Sequence, residues 1–163
     1  MLKEAFEALL QEMVKVVQRH YGDRLITIAV YGSVGRGAMR HDSDVDVLIV
    51  ARDLPQGRFA RAKEFEVVEN ALEGAFSTCR AQGVRTSLSP VFKTPEEAEV
   101  GSPLFLDMVE DARLLYDRDG FFENRLARLR KRLAELGSKR IWRGNVWYWD
   151  LKPDFKPGEV FEL

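Results

Sequence analysis

Two short apolar runs with little chain between them constrain this sequence more than anything else in it. The first, Leu25–Tyr31, reads Leu-Ile-Thr-Ile-Ala-Val-Tyr; the second, residues 45–50, reads Val-Asp-Val-Leu-Ile-Val. Both are rich in β-branched residues and too short for buried helices, so both are expected to be buried strands. Only residues 32–43 join them. A parallel crossover takes a dozen or more residues and usually a full helix. The pair is therefore expected to be antiparallel or closely abutting. That arrangement sets Gly32 and Ser33, at the end of the first run, beside Asp44 and Asp46, at the start of the second.

The placement has chemical meaning. Residues two apart on a strand share a face, so Asp44 and Asp46 point together while Val45 and Val47 turn away. Two carboxylates aimed the same way repel, and a divalent cation relieves the repulsion. Metal pairs that serve phosphoryl transfer sit about 3.5–4 Å apart, a span two such carboxylates can bridge. Opposite them, Gly32 lets the backbone approach a ligand closely. Ser33 offers a hydroxyl and an amide to a phosphate at a helix start. Arg36 adds a fixed positive charge, and Gly35 and Gly37 are expected to keep the loop open. Two other glycine-rich readings fail. Gly32 and Gly37 have P-loop spacing, but Ala38-Met39 stands where Lys-Ser/Thr is required. Gly35 and Gly37 are followed by Arg40 rather than a third glycine, which excludes the dinucleotide fingerprint. The plain alternative is a turn followed by an exposed Asp-x-Asp at a strand start.

Gly32-Ser33, ten residues, then Asp44-Val45-Asp46 resembles the signature of the DNA polymerase β-like nucleotidyltransferases. Arg36-Gly37 and Ser43 are similar to its small branch, the minimal nucleotidyltransferases. The resemblance covers about residues 25–92. It implies an α/β (α+β) fold, with a mixed sheet of three to five strands flanked by helices. It implies that Gly32, Ser33, Arg36, Gly37 and Ser43 hold the triphosphate of a nucleotide, and that Asp44 and Asp46 bind magnesium and carry catalysis. The reaction it implies moves a nucleoside monophosphate, AMP from ATP above all, to an acceptor hydroxyl with release of pyrophosphate. Members of the minimal branch act as antitoxins that modify a helical ribonuclease toxin on a tyrosine. Such a toxin is thus a candidate acceptor, beside RNA ends and small-molecule hydroxyls.

One departure from the family pattern bears on catalysis. Active members carry a third carboxylate on the strand after the second helix. Here that strand, residues 84–92, begins Val84-Arg-Thr-Ser-Leu-Ser-Pro90 and has no Asp or Glu. Ser87 or Ser89 takes the place, and serine is a poor base and a weak metal ligand. A second reading follows: a module that binds nucleotide or a partner protein and performs no chemistry.

The remainder of the chain supplies scaffold. Its length, 163 residues, suits one domain with an appendage; the expected division is residues 1–117 and 118–163. Leu2, Phe6, Leu9, Leu10, Met13 and Val17 mark an amphipathic helix, closed by Tyr21-Gly22-Asp23. Phe59, Phe65, Val68, Leu72 and Phe76 predict a second long helix. Pro90 pushes the third strand towards a sheet edge. Thr94-Pro95-Glu96-Glu97 predicts a helix start with Thr94 as N-cap and Glu97 closing a capping box. Ser102-Pro103 starts another, and Arg113 to Tyr116 reads as a short strand. Phe122, Leu126, Leu129, Leu133 and Leu136 predict a third long helix, ended by Gly137.

Charge is segregated. Residues 94–111 hold six acids and no bases, whereas residues 125–143 hold eight Lys or Arg and one acid, Glu135. The basic face suits a solvated helix neutralised by the acidic segment, or contact with RNA phosphates. The tail, residues 141–163, holds Trp142, Trp147 and Trp149 with Tyr148, Phe155 and Phe161. It is too aromatic for a disordered segment. Two roles fit it: folding back on the core, or an interface with a second subunit or a partner. A net charge of −1 gives no overall pull towards nucleic acid. Cys79 stands alone and reads as a small buried hydrophobe. His41 reads as a solvated loop residue, with ligand contact as the alternative. No leader-like stretch or membrane-spanning apolar run is present, so a cytoplasmic protein is expected.

Overall fold

In the computed structural model, which describes residues 1–163, the two apolar runs form β1 (Leu25–Tyr31) and β2 (Val45–Ala51). They pair antiparallel, with Tyr31 opposite Asp46. β3 (Leu88–Lys93) joins the outer side of β2 in parallel, and β4 (Arg113–Asp117) pairs antiparallel with β1. The result is a mixed sheet in the order β3-β2-β1-β4. The one parallel connection, from β2 to β3, runs through α3 (Arg58–Ala71) and α4 (Glu73–Ala81), which supply the length a crossover needs. β1 is buried along its whole length because helices cover both faces of the sheet.

The strand alternation sorts the core into two layers. α1 (Leu2–Tyr21), α3 and α4 press Phe6, Leu9, Met13, Phe65 and Val68 against Ile28, Val30, Val47 and Ile49. On the other face lie α5 (Pro95–Val100), α6 (Phe105–Asp111) and α7 (Phe121–Leu136). There Phe105, Met108, Phe122 and Leu126 meet Ala29, Tyr31, Leu48 and Val50. Asp117 ties the last helix to the sheet. Its Oδ1 accepts from the Thr27 hydroxyl at 2.7 Å and from the Phe122 amide at 2.9 Å, and its Oδ2 accepts from the Glu123 amide at 2.9 Å. A carboxylate there satisfies orphan amides of the first turn and complements the helix dipole.

Several expectations change in detail. The second long helix is broken at Leu72 (φ −91°, ψ 0°). The break lets Phe65 and Val68 before it, and Leu72 and Cys79 after it, reach the same core layer; Phe59 is left 89 % exposed. The third strand starts only at Leu88, although the Val45 amide already donates to the Ser87 carbonyl at 2.9 Å. It is the edge strand that Pro90 anticipates. Thr94 caps α5 by accepting from the Glu97 amide at 3.2 Å. The Glu97 carboxylate, however, closes no capping box; it receives both terminal nitrogens of Arg61, at 2.9 and 2.6 Å.

The basic segment is engaged largely within the chain. Arg125 is buried, donates to the Ala98 carbonyl at 3.0 Å and stacks on Phe105. Arg128 pairs with Glu99, and Arg140 with Glu110 and Asp111. The tail forms an antiparallel hairpin, β5 (Lys139–Arg143) and β6 (Val146–Asp150), separate from the main sheet. Trp149 and Leu151 pack on the second core layer, while Trp142 and Tyr148 stay half exposed. No helix is long and apolar enough to cross a membrane.

Candidate functional site

β1 ends at Tyr31, and the backbone turns at Gly32 (φ +64°) into a single helical turn, α2 (Gly32–Gly35). The turn passes directly over Asp46. A Cβ on Gly32 would lie 2.2 Å from Asp46 Oδ2 and 3.2 Å from its Cγ. Positive φ and this approach together require glycine. Gly35 differs from the open-loop expectation. A Cβ there would lie 2.5 Å from the Asp111 carbonyl oxygen and 3.0 Å from that of Val30, so Gly35 seats α2 tightly against α6 and β1. Gly37 (φ +72°) has open space around it and closes the turn. The Ala38 amide then donates to the Ser33 carbonyl at 2.8 Å. Ser43 serves the loop as well: its Oγ accepts from the Arg40 amide at 2.8 Å.

Asp46 has Tyr31 as its register partner on one side and Ser89 on the other. Asp44 lies two residues before it, and Asp44 Oδ1 accepts from the Ser87 hydroxyl at 3.0 Å. Neighbours in register share a face. Asp44, Asp46, Ser87 and Ser89 thus stand together on the face covered by α5–α7, at the end of the sheet where Gly32 and Ser33 turn. Burial raises the Asp46 carboxyl above the usual carboxylate range, and the charge of Asp44 adds to the rise; the Arg36 guanidinium opposes both. The Tyr31 phenol is pushed up to about 12 by burial and by the charges of Asp46 and Asp107.

No third ligating side chain completes a cluster with the two aspartates. That donor set fits a magnesium ion held by one or two carboxylates whose remaining ligands are water and substrate phosphate oxygens. A cleft of about 770 Å³ runs along the open edge of β3 beside Ser89, lined in part by Arg58, Arg61 and Lys93. Neither aspartate, nor Gly32 or Ser33, lines it.

Arg36 points back towards α6 and the tail. Its Nη1 lies 3.6 Å from Asp111 Oδ2, and its Cζ lies 4.7 Å from the centre of the Trp147 ring. Trp147, Asp107 and Asp111 were not singled out from the sequence as site residues. Nothing in their local pattern marks them, because their role comes from the hairpin folding back across more than a hundred residues of chain. His41 lies away from the aspartates, exposed, in a groove with Leu2, Ala5, Leu9, Ala75 and Cys79.

Comparison with known proteins gives two kinds of match. A family model described as a nucleotidyltransferase domain matches residues 10–140. A Methanocaldococcus jannaschii protein, MJ1305, which bears the provisional name protein adenylyltransferase, is 32 % identical over 124 residues, 75 % of this chain and 79 % of the relative. Among solved structures, a toxin–antitoxin crystal structure with AMP-PNP has a TM-score of 0.48 at 20 % identity, covering 78 % of this chain and 91 % of that one. The toxin–antitoxin structure MntA–HepT has a TM-score of 0.45 at 17 % identity, covering 80 % and 92 %.

Proposed function

We propose, since the chain belongs to the nucleotidyltransferase domain family, that it transfers AMP from ATP to a hydroxyl group of a protein acceptor. The observation that carries this reading is the seating of Asp46 directly against Gly32, with Asp44 on the same face. It joins the Gly32-Ser33 turn to a pair of carboxylates. In this reading Gly32 and Ser33 receive the triphosphate, with Arg36, Gly37 and Ser43 in the loop that supports it. Asp44 and Asp46 hold magnesium. When bound, magnesium neutralises charge on the phosphates and on the oxygens of the phosphoryl group in transfer. The acceptor oxygen forms a bond to the α-phosphorus as the bond from that phosphorus to the bridging oxygen breaks. Pyrophosphate leaves with the electron pair, and the acceptor proton passes to water.

The name of the M. jannaschii relative supports a protein acceptor. The motif's resemblance to the minimal branch supports a tyrosine of a ribonuclease toxin as the specific one. A cytoplasmic setting supplies both ATP and magnesium. A second reading, a nucleotide- or partner-binding module without transfer, is favoured by Ser87 and Ser89, which offer no carboxylate beside the aspartates.

Thermal unfolding of the chain with and without magnesium-ATP tests the binding common to both readings. A ligand at 100 times its dissociation constant stabilises by about 2.7 kcal/mol, which for a chain of this size is a melting shift of about 5–10 °C. The shift should require magnesium and vanish in Asp44→Asn/Asp46→Asn. An equal shift in wild type and double variant would overturn the metal assignment. Pyrophosphate release in the presence of an acceptor separates transferase from binding module.

A further inference from the structure

Trp147 lies beyond residues 10–140, the stretch matched by the family model, yet it meets the motif loop. Two guanidiniums stack on its ring: Arg36 Cζ at 4.7 Å and Arg140 Cζ at 4.4 Å from the centre. The indole Nε1 donates to Asp107 Oδ1 at 3.2 Å, which fixes the orientation of the ring. Arg140, with its side chain only 7 % exposed, forks onto Asp111 at 2.9 and 3.3 Å and reaches Glu110 at 3.0 Å. Asp111 is therefore engaged chiefly by Arg140. Arg36 shares it only through the single 3.6 Å approach. Arg36 is thus held in place by an aromatic face and one long ion pair, while its guanidinium makes no side-chain hydrogen bond and keeps its donors for an anion.

This matters because a loose arginine must be ordered when its ligand arrives. Stacking on a tryptophan restricts the guanidinium beforehand, so less affinity is lost to ordering. Resting on the nucleotidyltransferase reading above, we infer that the C-terminal hairpin is part of the nucleotide site. In this inference Trp147 is the positioning residue that holds Arg36 ready for the triphosphate oxygens. The hairpin is then neither a passive cover nor a free docking surface along this side.

The test is a cycle of magnesium-ATP affinities on the full chain, measured by isothermal titration calorimetry. Trp147→Ala is expected to weaken binding about ten-fold, the scale of a partly desolvated cation–π contact. Trp147→Phe, which keeps a π face, should recover most of the loss. Trp147→Leu, which keeps only apolar bulk, should not, and this pair decides the matter if the alanine variant fails to fold. Arg36→Ala should weaken binding at least as much, and Arg36→Ala/Trp147→Ala no more than Arg36→Ala alone, because the tryptophan acts through the arginine. Unchanged or tighter binding in both Trp147→Ala and Trp147→Leu, or additive losses in the double variant, would overturn the inference and leave the nucleotide site standing. A wild-type chain that binds no magnesium-ATP would overturn both.

Discussion

Beneath α1, α3 and α4 the sheet is sealed by 23 buried residues, none of them charged. Beneath α5–α7 a smaller layer of 13 shares its space with charge. Arg125 crosses it, and the Asp111–Arg140 pair closes the end nearest Asp46. The same two central strands feed both layers. The difference follows from which face the aspartates fall on. A carboxylate kept partly out of water must have water, a cation or donors near it. The layer that carries Asp44 and Asp46 thus cannot be closed with hydrocarbon alone, and the stabilising burial is concentrated on the opposite side. Charge and cohesion are divided between the two faces of one sheet.

The comparison can be broken at several points, and the largest expected effect is catalytic. Ser89→Asp places a carboxylate in register with Asp46, and Ser87→Asp places one beside Asp44. A positioned general base contributes about 10²–10⁴-fold, and pyrophosphate release with magnesium and acceptor should rise on that scale in at least one of the two. Robust wild-type turnover that both substitutions lower would show that the charged face already contains its base.

Next comes the sealed face. Phe65→Ala removes a fully buried ring and should cost about 3–5 kcal/mol of stability, read by chemical denaturation. Magnesium-ATP affinity of the folded chain should be unaltered. A parallel loss of affinity would mean that the two faces are not independent.

A smaller effect lies where the faces meet, at Arg61 and Glu97. Hydrogen bonding to Arg61 is the main cause that holds the Glu97 carboxyl below its ordinary value. A folded-state value below the unfolded one adds stability that is complete above about pH 5 and fades as the carboxylate protonates with falling pH. Glu97→Gln should therefore cost about 1 kcal/mol near neutrality, reduced by solvent screening because Glu97 is 39 % exposed. The gap between the melting curves of wild type and variant should narrow as the pH falls through and below the ordinary carboxylate range. A gap that does not narrow as the pH falls would assign the loss to packing instead. The smallest effect belongs to the site loop. Ser33→Ala should change stability by no more than about 0.5 kcal/mol while weakening magnesium-ATP binding. A large fall in melting temperature with affinity intact would make the loop a structural element rather than a phosphate cradle.

Much of the site was legible in the chain because its parts are local. Gly32, Ser33 and Asp44 lie in the short connection between two adjacent strands, and Asp46 lies at the start of the second. Period-two alternation together with the shortness of that loop determines that they gather at one end of the sheet. The amphipathic helices and the edge position signalled by Pro90 were legible for the same reason: periodicity and proline chemistry act within a few residues. Three features were decided only by the tertiary structure. The break at Leu72 depends on what the two helical halves must cover. The close packing at Gly35 depends on α6 lying against α2. The stacking of Arg36 on Trp147 depends on a hairpin more than a hundred residues away in the chain. Contacts at such separation carry no local signature, since any of the basic residues and any of the three tryptophans would have satisfied the sequence pattern. Only the folded sheet, by setting α6 and the hairpin beside the motif loop, selects which cation meets which ring.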